Sequence, residues 1–132
     1  MTDASSKPIQ SEELQCLLVS QIQELYERQL GHQLSEITCN VFDNTLVIVM
    51  EGIVTRSEQL LAESNRQELA KKVRAILDQI TRPQIKQLIE EIMSVTVVDF
   101  LCDTRVETDR AGAMAVFEFQ PKEGARNKLN LM

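Results

Sequence analysis

Two stretches with the character of strand hairpins, at 36–53 and 95–120, stand on either side of a helical segment that carries Thr55, Arg82 and Pro83. In the first, Ile37, Cys39 and Val41 alternate with Thr38, Asn40 and Phe42. Asp43-Asn44 then supplies turn chemistry before a second strand at 45–53. In the second, a β-rich run at 95–104 and a polar loop at 105–112 lead into 113–120. There Ala115, Phe117 and Phe119 alternate with Val116, Glu118 and Gln120. Hairpins pair antiparallel, so this order calls for an antiparallel sheet with helices packed on one side of it.

The strand Leu46-Val47-Ile48-Val49-Met50 is apolar at consecutive positions, which predicts that both of its faces leave water in the working assembly. One layer of helices covers one face only. A second copy of the chain is the economical cover for the other, so Val47, Val49 and Met50 are assigned to a dimer or core face and a homodimer is expected.

Between and before the hairpins the period changes to that of helices. Leu14, Leu17, Leu18, Ile22 and Leu25 recur at helical spacing, and Gly31 stands where a left-handed cap would end the helix. Thr55 and Glu58 have capping-box spacing, which predicts a helix start. Ser64 and Gln67 repeat it ahead of Leu69, Val73, Ile76, Leu77 and Ile80, read as one apolar stripe. Pro83 suits a first-turn position, so Thr81 and Gln84 can open a further helix bearing Ile85, Leu88, Ile89 and Ile92. A single kinked helix is equally allowed. The fold class is therefore α+β, in the order helix, two strands, two or three helices, two strands.

At 132 residues, 43% of them hydrophobic, the chain has material for a single core. We divide it into a flexible N-terminal arm at 1–11, one domain at 12–120, and a flexible tail at 121–132 that carries Lys122, Arg126 and Lys128. A net charge of −6 opposes attraction to nucleic acid or to an anionic membrane face. No apolar run approaches the roughly 20 residues of a spanning helix, so direct membrane insertion is not expected. The N-terminus lacks the basic start and apolar core of a secretory signal, which makes the cytoplasm the expected compartment.

Recognisable reaction chemistry is sparse. Cys16, Cys39 and Cys102 are odd in number and widely spaced, which suits free thiols; a redox pair of Cys39 with Cys102 requires the two hairpins to be neighbours. His32, the single histidine, reads as an exposed loop residue. Asp99, Asp103, Glu107 and Asp109 cluster in sequence, but their spacing matches no EF-hand loop. Asp99 shares a strand face with Val95, Val97 and Leu101, and Glu51 poses the same question beside Val47 and Val49. Arg74 and Arg82 are the cations available to answer these acids. Asp99, Asp103, Arg74 and Arg82 therefore form the candidate polar or interaction site. There is no phosphate-cradling loop, nucleophile elbow or paired cysteine motif, and four glycines, one tyrosine and no tryptophan supply little for nucleotide or base binding. The expectation is a non-catalytic protein without cofactor or metal. A groove between sheet and helices, lined by Met50 and Phe100, is the expected site of any small ligand.

Several stretches together resemble the MpsC-like family: Leu46-Val47-Ile48-Val49-Met50-Glu51-Gly52-Ile53-Val54-Thr55 with Glu58, Leu69 with Val73-Arg74, and Arg82-Pro83 with Leu88-Ile89-Glu90-Glu91. The resemblance continues through Val97-Val98, Asp103, Thr108 and Val116-Phe117, and covers about residues 12–120. It implies a soluble accessory protein of membrane machinery for cation movement or inorganic-carbon uptake, with a membrane transporter subunit as partner. It carries no catalytic residues onto this chain. Members can equally stand alone as regulators.

Overall fold

The computed structural model describes residues 2–119, with side chains from Glu12 onward. The expected tail at 121–132 lies outside the described residues, and of the expected arm at 1–11 the backbone of residues 2–11 belongs to the first helix. The elements are α1 (Thr2–Leu30), β1 (Glu36–Phe42), β2 (Thr45–Glu51), α2 (Arg56–Glu63), α3 (Gln67–Met93), β3 (Val95–Arg105) and β4 (Arg110–Phe119), with one 3-10 turn at Val106–Thr108. The four strands form one antiparallel sheet in the order β1-β2-β4-β3, so the hairpins join through β2 and β4. The expected α+β class and element order hold.

α1 and α3 pack against each other and on one face of the sheet. Leu18, Ile22 and Leu25 of α1 and Ile85 and Ile89 of α3 meet Ile37, Ile48, Ala115 and Phe117 in a single core. Strand alternation sorts the sheet residues cleanly. Leu46, Ile48 and Met50 point into the core, while Val47 and Val49 point to the opposite, uncovered face and are half-buried. Met50 thus parts from Val47 and Val49.

A β-bulge corrects the expectation for Asp99. The β3–β4 register shifts between Val97 and Asp99, leaving Val98 as the extra residue. Val95 and Val97 therefore face the core, whereas Asp99 and Leu101 are exposed on the outer face. Of the groove expected beside Met50 and Phe100, Met50 lines a crevice of about 20 Å³ between α3 and the sheet, while Phe100 packs against the core.

Helix boundaries differ from expectation where local bonding has alternatives. Thr55 caps α2 with the expected reciprocal capping box to Glu58. Ser64, however, closes α2 rather than opening α3, and Arg66 caps α3 without a side-chain bond. α3 then runs unbroken through Pro83, with the Thr81 hydroxyl donating to the Leu77 carbonyl at 3.0 Å. The alternative of a separate helix opened by Thr81 is not realised.

Glycine is needed at Gly52, which has φ +74° and where a Cβ would come within 2.9 Å of the Ser35 amide nitrogen. Its N–H donates to the Asp109 carbonyl (2.9 Å), and the Val54 N–H donates to the Asp109 carboxylate (2.7 Å). His32, half-buried rather than exposed, places Nε2 2.6 Å from the Gly52 carbonyl. These bonds tie the chain entering α2 to the β3–β4 turn and set the position of Thr55 and Glu58.

Candidate functional site

A cleft of about 570 Å³ lies between the α2–α3 hairpin and the end of β3 with its 3-10 turn. Lys71, Asp103 and Arg105 line its mouth, and Glu58 and Arg74 form its floor. Arg74 is only 6% exposed and Glu58 2%. The guanidinium grips Glu58 through Nε and Nη2 at 2.7 and 2.5 Å, donates from Nη2 to the Ile53 carbonyl (3.0 Å), and from Nη1 to Asp78 (3.0 Å). Thr55 donates to the same Glu58 carboxylate from its backbone N–H and hydroxyl, both at 2.8 Å. Asp78 also accepts from the Thr104 hydroxyl at 3.4 Å, which links α3 to β3.

Burial alone would raise the Glu58 carboxyl, but the bonds from Arg74 and Thr55 overrule it and hold the group below the usual carboxylate range. Arg74 is subject to the opposite pair of effects: burial would lower it, and Glu58 and Asp78 raise it further. Both groups stay charged at neutral pH. Glu58 is thereby committed as a hydrogen-bond acceptor and is not poised to take up a proton. Tyr26 lies beside this cluster next to Thr81, its hydroxyl pushed up by burial.

Of the four candidate polar residues, the structure brings Arg74 and Asp103 to one cleft. Arg82 lies in a neighbouring crevice with Tyr26, Cys102 and Asp103, with about 20 Å³ of space, little more than one water needs. Asp99 is elsewhere, on the outer face of the sheet. Neither arginine answers Asp99 or Glu51. Arg110 takes Glu51 instead, at 2.9 Å. Asp78, Tyr26 and the second use of Glu58 escaped sequence reasoning, although Arg74 and Asp78 do have the i, i+4 spacing of a helical ion pair.

The remaining acids disperse. Asp109 is bonded to Val54, and Glu107 faces Arg105 at 3.6 Å. Among the described residues no three His, Cys, Asp or Glu side chains converge as a metal-holding group. Cys39 and Cys102 do share one row of the sheet, Cys39–Ile48–Ala113–Cys102. Three strand spacings put them about 14 Å apart, twice the reach of a disulfide, so the redox pair is ruled out.

Turning Arg74 and Thr81 inward sends the apolar stripe of α3 outward. Leu69, Ile76 and Ile80 are 47%, 54% and 44% exposed, and Leu60 of α2 is exposed as well. Val73 and Leu77 of the expected stripe stay half-buried, so the five residues do not act as one face. Among the described residues no helix is long and apolar enough to cross a membrane.

A family model described as "Na+-translocating membrane potential-generating system (MpsC)" matches residues 10–119. No curated protein and no solved structure matches the chain.

Proposed function

The chain belongs to the MpsC family, that of a Na+-translocating membrane-potential-generating system, and on that premise we propose that it is a non-catalytic accessory or regulatory protein of a membrane cation or inorganic-carbon transport system. It acts by contact, as a homodimer in the cytoplasm, docking on a transporter subunit rather than inserting into the bilayer. The observation that carries this reading is the outward stripe of Leu69, Ile76 and Ile80. A helix that buries arginine and exposes isoleucine loses hydrophobic stabilisation unless a partner covers the exposed side.

The test is affinity capture of the tagged chain from gently solubilised native membranes, with quantitative mass spectrometry. The expected result is an integral membrane transport subunit recovered by the unaltered protein and lost with Ile76→Asp. Recovery of no membrane subunit, or equal recovery by both chains, would count against the proposal.

The cleft over Arg74 favours a second reading, a stand-alone regulatory domain that binds a small polar ligand between Lys71, Asp103 and Arg105. Native mass spectrometry of the purified protein separates the two. A retained small molecule released by Lys71→Ala supports this second reading, and persistently empty protein opposes it.

A further inference from the structure

The outer face of the sheet carries a charge pattern that makes little sense in one protomer. Reading across the four strands at one end, the register places Glu36 of β1 beside Glu51 of β2, then Arg110 of β4, then Arg105 of β3. All four side chains point to the uncovered face, since their strand neighbours Ile37, Met50 and Ala111 are buried and Thr104 is half-buried on the other. The order is two acids followed by two bases. Like charges directly opposite on neighbouring strands are destabilising, and the row holds two such pairs. Within the row only the central Glu51–Arg110 contact joins opposite charges; Arg105 meets Glu107 of the 3-10 turn at 3.6 Å, an exposed pair of little strength. Glu36 shares a side-chain hydrogen bond with Glu51, and that bond together with the neighbouring charge pushes its carboxyl up.

We propose that this face pairs with the same face of a second copy, about a two-fold axis running along the strands between β2 and β4. That operation lays β1 over the partner's β3 and β2 over the partner's β4. The row of two acids and two bases then meets its own reversed image, so the Glu36 and Glu51 end of each copy faces the Arg105 and Arg110 end of the other. The other in-plane two-fold that brings the row onto itself, along the row and across the strands, sets Glu36 over Glu36 and Arg105 over Arg105, like charge on like. Two sheets packed face to face keep their strand directions within about 30°, an offset that these long side chains can span.

The centre of the face fits the same operation. Val49 pairs with Gly112 in the sheet, and Val47 with Met114. Under the two-fold, Val49 comes over the partner's Gly112 and Val47 over the partner's Met114. Gly112 has no reason within its own protomer to be glycine. Its φ is not positive, and an added Cβ would meet nothing closer than the Ile48 carbonyl at 4.0 Å. What the missing side chain does create is a shallow hollow bounded by Val47, Val49, Leu101 and Met114, which a valine from the second copy fills. Asp99 and Asp103, on the outer face of β3, come over the partner's β1.

This deepens the dimer part of the proposed function. The assay below contains no membrane component, so its outcome is separate from capture of a transport subunit. The full chain is analysed by sedimentation equilibrium at micromolar concentration, alone and as three variants, each checked for unaltered melting by circular dichroism. The unaltered chain is expected to be dimeric. Glu36→Lys/Glu51→Lys and Arg105→Glu/Arg110→Glu each confront like charges in the pair, and each is expected to raise the dissociation constant at least about tenfold. Mixing the two is expected to restore a dimer containing one of each. Gly112→Gln, which the protomer has room for, is expected to weaken association while leaving the fold intact, and keeps the test decisive if either charge variant misfolds. A monomeric unaltered chain overturns the proposal, whatever else covers the face, be it residues 120–132 or another protein. So does a dimer indifferent to the Gly112 variant and to the charge exchange, which would place self-association on α3 instead.

Discussion

The two halves of α3 solve opposite problems with one continuous helix. From Pro83 to its end, the helix buries Ile85 and Ile89 and exposes Lys86 and Gln87, the ordinary arrangement of an amphipathic helix over a core. From its start to Thr81 it buries Ala70, Arg74 and Thr81 and exposes Leu69, Ile76 and Ile80. The second half is held by packing, and the first by an ion pair and hydrogen bonds. A buried ion pair adds little net stability over a well-packed apolar substitute. The first half is thus arranged for something other than maximal stability of one copy, and its freed apolar side is the surface available to a partner.

The largest effect expected from breaking this contrast is at Arg74. Arg74→Ala strands the Glu58 carboxylate in a site where it is 2% exposed, and removing one partner of a buried pair costs about 3–5 kcal/mol. Urea unfolding measures it. Replacing both partners, Glu58→Leu with Arg74→Met, is expected to recover most of the loss. If the double variant is as unstable as Arg74→Ala, the pair is not what holds the first half in place. On the other half, Ile89→Ala opens a cavity in the core and is expected to cost about 2–5 kcal/mol, with no rescue by any change at Glu58.

Acid sharpens the same contrast. The Glu58 carboxyl lies lower in the folded protein than in the unfolded chain, so its contribution is fully present above the unfolded carboxylate value of about 4.3 and is lost as pH falls through the lower folded value. The unaltered protein is therefore expected to lose more melting temperature between neutral pH and strong acid than the Glu58→Leu/Arg74→Met chain does. Equal losses in the two would show that other carboxylates dominate the acid response.

Much of this architecture was legible from period and punctuation. The alternation of Ile37, Cys39 and Val41, the consecutive apolar run of β2, Gly31 at the end of α1 and the Thr55–Glu58 capping box each led to the element that the structure contains. What eluded the sequence depends on choices that local pattern leaves open. A bulge adds one residue and reverses every later side chain, so Asp99 changed faces without any change in composition. The stripe of α3 had helical period, but period identifies an apolar side and not which side meets the core. The Glu58–Arg74 pair spans 16 positions and exists because the α2–α3 turn brings them together. Arg74 and Asp103, named from sequence among the candidate polar-site residues, became neighbours in a cleft. Asp99 and Arg82 did not join them. The doubly apolar β2 did point to an uncovered face, and the row Glu36–Glu51–Arg110–Arg105 emerged only once register was known.

The smallest effect is the most discriminating. Ile76→Ser removes an isoleucine from an apolar stripe of about three turns, and in an ordinary core helix that loss would rival Ile89→Ala. Here the side chain is more than half exposed in the protomer, so the expected change in unfolding free energy is within about 0.5 kcal/mol, the range of surface substitutions. Dilute urea unfolding, below the concentration at which copies associate, measures the protomer alone. A loss of several kcal/mol would mean that the first half of α3 is packed like the second, and the division between a bonded half and a packed half would collapse. A loss near zero leaves the stripe with no role in the stability of a single copy, which is the energetic signature of a surface kept for contact.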